Sequence, residues 1–448
     1  MIVIIGAGPA GLAAAKAIAQ NGHSVTILDA GVRSGGQYWR HISEVKGYKS
    51  SRARMYFDQI TSNPLITYFP GAQVWSAQKI DDRFQLNFLQ QGIEKSIIAS
   101  KVIVATGAYD RALPFPGWTE PGVMTPGGAQ ALLKGHGVVV GRKIIVSGTG
   151  PFLFPVATAL AENGATVEIY EAQNPLRWIL SPIALLVNPA KFPELLYYSR
   201  AILKNKIKIS FGCAVTSFEN GKAGISRVRS DLTIKTRNFA SVECDVVATG
   251  WGFVPDVSLG GILGCSQKLD ADETVIFTVN EEQQSSVANV WIAGEATGIG
   301  GADLALIEGE IAGLSATGSR IPLNLIWKRV TKRIFARALQ RSYPVGPGWR
   351  EWLRDNTVVC RCEEVLRHEI VESVQDLGAE DARTSKLFTR AGMGLCQGRV
   401  CSRNVSDIVA GITKCAVSPT ERITASNRPI AAPISLGALA ANRSHKRS

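Results

Sequence analysis

A glycine turn between an apolar strand and a helix occurs twice in this chain, and the two copies stand 142 residues apart. Residues 2–5, IVII, run into Gly6, Gly8 and Gly11, then into the helical run LAAAKAIAQNG and a second strand, SVTIL, that ends on Asp29. A chain with this order folds as strand, tight turn, helix and parallel strand. Gly6 allows the turn, Gly8 lets the backbone approach a pyrophosphate at the helix N-terminus, and Gly11 lets the helix lie close on the strand. Pro9 and Ala10 complete the turn, and Asp29 is placed to accept hydrogen bonds from an adenosine ribose. The flanking strands and the correctly spaced acid make this a far more specific signal than a lone glycine motif.

The second copy, KIIVSGTGPFLFPVATALAENGATVEIYE, sets Gly148, Gly150, Gly164 and Glu171 each 142 positions after Gly6, Gly8, Gly22 and Asp29. Its third fingerprint position holds Leu153 instead of glycine, between Phe152, Phe154 and Pro155. A side chain there is expected to push the helix off its strand and reshape the nucleotide cleft. Glu171 stands where a ribose diol is read, and its charge disfavours the 2'-phosphate of NADP, so NAD or ATP suits this site better. A vestigial domain without ligand is the alternative. Closing strands repeat as well: VIVATGA from 102, with Ala105, Thr106 and Gly107, and VVATGWG from 246. A further landmark, VWIAGEATGIGGADLALIEGEIAG from 290, reads as a strand, a glycine turn with Gly294 and Glu295, and a helix whose N-terminus can face a ring or phosphate.

At 448 residues the chain is too long for one hydrophobic core, and two or three domains are expected. The uncharged opening lacks a basic start and carries motif-spaced glycines, so it reads as folded structure and not as a leader. No segment offers the run of roughly eighteen apolar residues that a membrane span needs. Lys and Arg outnumber Asp and Glu by 49 to 37, but the excess is diffuse. Its densest part, IWKRVTKRIFARALQR from 326, alternates at helical spacing and lacks the interleaved aromatics of a base-stacking surface. A solvated helix packed on its own protein is the expected reading, with a membrane-surface helix second and a nucleic-acid surface a distant third.

Four cysteines form two close pairs near the end of the chain. One residue separates Cys360 from Cys362, four separate Cys396 from Cys401, and thirty-three lie between the pairs, including the helix-like EEVLRHEIVESVQDL. Four thiolates on a small helical module can hold zinc or a 2Fe-2S cluster. Two observations favour iron. A cluster beside a redox cofactor held by the nucleotide domains would split two-electron chemistry into single-electron steps, whereas zinc is redox-inert. Gly392, Gly394 and Gly398 surround the ligands, so bare backbone N–H groups can reach the sulfurs. Disulfides are not expected in a chain read as cytosolic, and Cys213, Cys244, Cys265 and Cys415 are expected to be core thiols.

The first 318 residues resemble the flavoproteins in which a second nucleotide domain is inserted into an FAD domain. The cysteine region is similar to the bacterioferritin-associated-ferredoxin type of 2Fe-2S domain. With GGQYWR at 35–40, GTGPFLFPVA at 148–157 and CQGRVC at 396–401, the chain to about residue 415 resembles the large subunits of opine oxidases, hydrogen cyanide synthase and proline or hydroxyproline dehydrogenases. The resemblance implies an α/β fold with two Rossmann-like, glutathione-reductase-like domains and a small helical C-terminal iron-sulfur domain. It implies an FAD-binding domain over 1–108 and 246–318, an inserted nucleotide domain over 109–245, a linker helix over 319–354, a 2Fe-2S domain over 355–415 and an extended tail over 416–448. By the same comparison Gly6, Gly8, Gly11, Asp29, Gly36, Gln37, Ala105, Thr106, Gly107, Gly294 and Glu295 hold FAD, with Glu295 standing where the group has aspartate. Gly148, Gly150 and Glu171 face the second adenine nucleotide, and Cys360, Cys362, Cys396 and Cys401 hold the cluster. FMN at a subunit interface is a further implied cofactor.

The implied activity is that of an electron-transferring FAD/2Fe-2S subunit of an amine or imino-acid dehydrogenase of opine, hydroxyproline/proline or glycine type. The implied partners are an FAD-dependent oxidase-like partner subunit, together with a small ferredoxin-like subunit, in the cytoplasm or peripheral at the inner membrane. The alternative is a self-contained NADH-dependent flavin and iron-sulfur reductase. No cysteine precedes Cys213, which excludes a redox-active pair near the flavin, and neither His41 nor His136 belongs to an acid-base constellation. No catalytic residue is assigned. Past 415 the chain loses periodicity, and PIAAPISLGALA is apolar enough to lie as an extended arm on a partner.

Overall fold

The computed structural model describes residues 1–41, 51–175, 177 and 191–445. Two five-stranded parallel sheets organise it. In the first, Val290–Ile292, Lys101–Val104, Ile2–Ile5, Val25–Asp29 and Ile66–Pro70 lie side by side in that order. In the second the order is Lys208–Phe211, Thr166–Glu171, Lys143–Gly148, Val246–Gly250 and Val123–Met124. The central strands are continuous apolar runs because helices and a meander cover both faces. The duplication seen in the glycine turns extends further. Each domain adds a three-stranded antiparallel meander, Gln73–Ile80, Arg83–Gln90 and Ile93–Ala99 in one, Cys213–Glu219, Lys222–Val228 and Ile234–Glu243 in the other.

The chain passes between the domains on two antiparallel strands, Ala108–Asp110 and Phe253–Pro255. The return falls later than expected: Val246–Gly250 pairs with Ile144–Gly148 and so belongs to the inserted sheet, which moves that boundary from 245 to the loop after Gly250. The Ala-Thr-Gly signature closes a strand of either sheet, and sequence alone does not say which.

Helix Ala302–Ala316 lies on helix Pro9–Gln20 at very short range. A Cβ on Gly309 would sit 2.0 Å from the Ala10 carbonyl oxygen, and one on Gly313 would sit 2.6 Å from that of Ala14. The basic segment forms helix Leu323–Ser342. Arg329 and Arg333 turn inward, while Leu323, Trp327, Val330 and Ile334 are exposed. The solvated face expected of this helix is thus partly apolar. Turn Pro347–Trp352 then leads to a hairpin of Val358–Cys360 and Val365–Leu366 and to helices Arg367–Gln375, Ala382–Thr389 and Ser402–Thr413.

This small domain shares one apolar core with the inserted domain. Phe115, Trp118, Val215, Phe218, Trp251 and Trp352 pack in the same cluster as Val359, Cys360, Cys401 and Val405. Trp118 Nε1 donates to the Val358 carbonyl at 2.6 Å, and Trp352 Nε1 to that of Leu232 at 3.1 Å. The segment after 415, expected to be extended, carries helices Pro419–Ser426 and Leu436–His445. It packs on its own chain: Ala431 N donates to Trp75 O at 2.7 Å and Arg422 is buried. Ser418 caps the first of these helices, a local signal that composition obscured. Residues 446–448 of that tail lie outside the described residues. Cys213, Cys244 and Cys265 are buried as expected, but Cys415, just past a helix end, is exposed.

Candidate functional site

Strand Ile2–Ile5 connects to its neighbours on opposite sides, so the crevice for a ligand opens between the loops that follow it and Lys101–Val104. Gly6 has φ +103°, and a Cβ there would sit 2.4 Å from Ala105 O. Gly11 comes so close to the strand that its Cβ would sit 1.9 Å from Gly6 O. At Gly8, the residue before the helix, a Cβ meets nothing within 4 Å. The turn is therefore tight on its protein side and open on the other, where backbone N–H groups at a helix N-terminus favour an anion.

The remaining expected residues surround this opening. Gly36 approaches Gly8, where a Cβ would sit 2.9 Å from the Gly8 Cα, and Gly35 N donates to Ala7 O at 2.8 Å. Gln37 is exposed and accepts from Arg40 at 2.6 Å. Asp29 is buried, accepts from Ala7 N at 3.2 Å and from Tyr68 at 3.4 Å, and burial raises its pKa. Thr106 Oγ1 donates to Asp256 O at 2.8 Å, while Gly107 keeps φ +73° with open space beside it. A Cβ on Gly294 would sit 3.0 Å from the Ala10 methyl, so the last landmark folds back onto the first.

Glu295 does more than replace an aspartate. Its Oε2 accepts from Gly300 N at 3.0 Å and its Oε1 from Gly301 N at 2.9 Å, shaping the loop before helix Ala302–Ala316. Burial pushes its pKa up to about 7 against the pull of those two amides. Behind it lies a charge network with no sequence signature. Glu308, fully buried, accepts from Gly294 N at 3.1 Å and Thr297 Oγ1 at 2.9 Å, and pairs with Arg333, with Arg329 at 3.9 Å. Only the helical spacing of Gly309 and Gly313 in the sequence hinted that this helix would seat so closely.

In the inserted domain Gly148 keeps its tight turn, with φ +137° and a Cβ position 1.7 Å from Gly250 O. Gly150 is open, but the helix starts at Leu153, three residues on, where the first-domain helix starts directly after Gly8. Leu153 is buried in the core. The helix begins two residues later than its counterpart, after a turn in which Leu153 N donates to Gly150 O and Phe154 N to Pro151 O. Phe152 meets Phe253 with ring centroids 5.0 Å apart, across the crevice between the loops after Lys143–Gly148 and Val246–Gly250. Glu171 is 1% exposed; Oε1 accepts from Thr149 Oγ1 at 2.8 Å and Gln173 N at 2.9 Å, and Oε2 from Gly150 N at 2.9 Å. Burial pushes its pKa up to about 7.

The two cysteine pairs meet. Cys401 touches both Cys360 and Cys396, and Cys396 touches Cys362. The four sulfurs are thus linked pairwise, Cys362 to Cys396, Cys396 to Cys401 and Cys401 to Cys360. A 2Fe-2S centre, which divides four thiolates between two irons, suits that arrangement. The Cys401 thiol holds Cys396 down to about 4 and Cys360 to about 6, and its own pKa rises correspondingly. Backbone amides add to the effect, with Gly392 N 3.5 Å from Cys360 Sγ and further amides of Val400 and Gly398 on Cys396. Gly394 is required by packing, since its Cβ would sit 2.3 Å from that of Cys362. Arg399 Nη2 donates to Ser258 Oγ at 2.9 Å, binding the loop to the FAD domain.

These features define an FAD-dependent oxidoreductase built on two nucleotide domains and carrying a 2Fe-2S domain. Residues 1–309 match the pyridine nucleotide-disulphide oxidoreductase family, and residues 358–411 the BFD-like 2Fe-2S binding domain. The A-subunit of opine oxidase from Rhizobium meliloti is 31% identical over 98% of this chain and 87% of its own. Hydrogen cyanide synthase subunit HcnB of Pseudomonas aeruginosa is 30% identical over 90% of this chain and 91% of its own. L-proline dehydrogenase from P. horikoshii shares the fold, with a TM-score of 0.65 at 18% identity over 98% of this chain and 78% of that one. The chain belongs to the pyridine nucleotide-disulphide oxidoreductase family and, within it, to the group of HcnB and the opine oxidase A-subunit. No helix among the described residues is long and apolar enough to cross a membrane.

Proposed function

We propose that the chain is the FAD- and cluster-bearing subunit of a multi-subunit amine or imino-acid dehydrogenase, of opine, proline/hydroxyproline or glycine type. In this reading a partner flavoprotein subunit oxidises the substrate and this chain takes up the electrons. The observation that carries it is the contrast between the two nucleotide sites: the first is open and intact, while Phe152 and Phe253 stand in the crevice of the second. Rings 5.0 Å apart at that crevice would compete with a nicotinamide for the approach to a flavin, which favours electron delivery from a partner over delivery by NADH. The subunit designations of the relatives support a complex.

The bound groups would supply electron storage, by pairs at the flavin and singly at the cluster. The protein's own residues hold and insulate them. Gly6, Gly8 and Gly11 set the backbone for a pyrophosphate, Gly294 and Glu295 shape the loop facing the ribityl end, and Cys360, Cys362, Cys396 and Cys401 hold the cluster. Gly148 and Gly150 are left with a structural adenine nucleotide, NAD or ATP, while Glu171, expected at the ribose, is buried and braces their turn instead.

Anaerobic mixing tests the reading. The chain co-expressed with its partner subunits should lose flavin colour on adding the amine, and the chain alone should bleach with neither amine nor NADH. Bleaching of the isolated chain by NADH would replace it with a self-contained reductase.

A further inference from the structure

A cavity of about 50 Å³ lies where three parts of the chain meet. Its walls are the strand end at Tyr109–Ala112, the loop 398–404 beside the cluster cysteines, and helix Pro419–Ser426. Arg111, Arg403 and Arg422 all line it, and each has a buried Nε without a hydrogen-bond partner. Three such groups converging on one cavity are unusual, because a buried guanidinium stays charged and buried charges are normally paired.

The arginines differ in what else they touch. Arg403 donates to Asp272 O at 2.5 Å and to Thr274 Oγ1 at 3.2 Å, and Arg422 pairs with Asp407 and, at 3.2 Å, with Glu273. Arg111 is 6% exposed, and among the described residues no hydrogen bond or ion pair engages its guanidinium. None of the nearby carboxylates hydrogen-bonds Arg111: Asp407 and Glu273 pair with Arg422, Asp272 accepts from the Thr274 amide and hydroxyl, and Asp110 accepts from Thr125 and Gly127, although Asp272 and Asp407 lie near enough to act on Arg111 through their charge. Arg399 and Arg428, also on the wall, spend their donors on backbone carbonyls of Cys396, Gln397 and Ser426. The cavity therefore presents an unspent Nε donor on each of three arginines, and cations outnumber the two carboxylates, Asp110 and Glu273, that also line it.

We propose that this cavity is a phosphate site. One phosphate group, free or as the end of a phosphate monoester, is held by Arg111, Arg403 and Arg422. It ties the interdomain strand, the cluster loop and the C-terminal helix together. The volume exceeds the roughly 15 Å³ that one water needs, and it admits a compact oxyanion but no ring system. Planar arginine forks match phosphate oxygens in pairs, which lysines would not do. The assignment does not depend on which substrate the complex oxidises.

The test uses the full chain with its cofactors in chloride buffer, titrated with inorganic phosphate at constant ionic strength while the unfolding midpoint is followed. Wild type should rise by about 2 °C or more and saturate, as binding to the native state alone requires. Arg111→Met should show no rise, and its midpoint without phosphate should equal or exceed wild type, since the uncompensated buried cation is gone. Should that variant not accumulate, Arg403→Met must lose the same response. Denatured protein is also assayed for phosphate. Direct detection identifies the free ion, and detection only after phosphatase treatment, with absorbance of the released ligand, identifies a monoester. A wild type that responds to phosphate no more than to chloride, or a responsive Arg111→Met, overturns the proposal.

Discussion

Alanine at Gly11 and alanine at Gly8 should fail in opposite ways, and the difference can be worked from the coordinates. At Gly11 the new methyl falls 1.9 Å from Gly6 O. A carbon approaches a carbonyl oxygen to about 3.3 Å, so helix Pro9–Gln20 must retreat by roughly 1.4 Å. Overpacking of this kind costs about 1–3 kcal/mol, and it acts whether or not FAD is present. At Gly8 the methyl meets nothing within 4 Å and the backbone, with φ −75°, accepts alanine. The stability of the FAD-free protein should change by less than about 1 kcal/mol. The methyl does occupy the side from which a pyrophosphate would approach. Losing one or two charge-assisted hydrogen bonds, at about 1.5–3 kcal/mol each, weakens FAD by about tenfold to about twenty-thousandfold. Flavin fluorescence titration of FAD-stripped protein gives the affinity, and urea denaturation of the same samples gives the stability. Full FAD affinity in Gly8→Ala would show that the pyrophosphate does not lie at this turn.

Three further outcomes are expected. Cys396→Ser should lose the visible cluster absorbance, with iron and labile sulfide falling together while FAD stays bound; stoichiometric zinc in the wild type would contradict the cluster assignment. Glu308→Ala should cost about 3–5 kcal/mol in chemical denaturation, because it leaves Arg333 without its carboxylate and strands the Gly294 amide. Glu171, with its pKa raised from 4.5 to about 7, binds its proton more tightly folded than unfolded. Its contribution to stability is greatest below about 4.5 and declines as pH rises through about 7. In Glu171→Gln that decline should be missing, which paired denaturation curves at pH 5 and 8 would show.

What the sequence revealed and what it hid divide along the range of the interactions. The first nucleotide turn was legible because Gly6, Gly8 and Gly11 answer to contacts within one strand-turn-helix unit, where spacing is geometry. The cysteine pairs were legible for the same reason, each being held in one turn. Leu153 announced a change in the second site, but its form, a helix that starts two residues late and an aromatic pair across the crevice, depended on Phe253, a hundred residues away. The Glu308–Arg333 pair and the three arginines of the cavity join segments with no shared periodicity. The tail misled because its proline and serine, read as marks of an extended arm, serve Ser418 and Pro419 as a helix start. Val246–Gly250 was placed with the wrong sheet since both sheets end a strand on the same three residues.

The apolar core that runs from Trp118 and Trp251 through Cys360 and Cys401 also bears on how the gene can be cut and joined. A domain that keeps its hydrophobic residues to itself can be moved between proteins as a cassette. Here two of the four paired cysteines, Cys360 and Cys401, belong to the interior of the neighbouring domain, and that domain in turn relies on Val359 and Val405 to cover its tryptophans. Truncation before residue 355 would leave an oily face in place of a clean surface. A transplanted ferredoxin module would bring ligands but no matching wall. Substitutions in the shared wall on either side of it are bound to be felt by both domains.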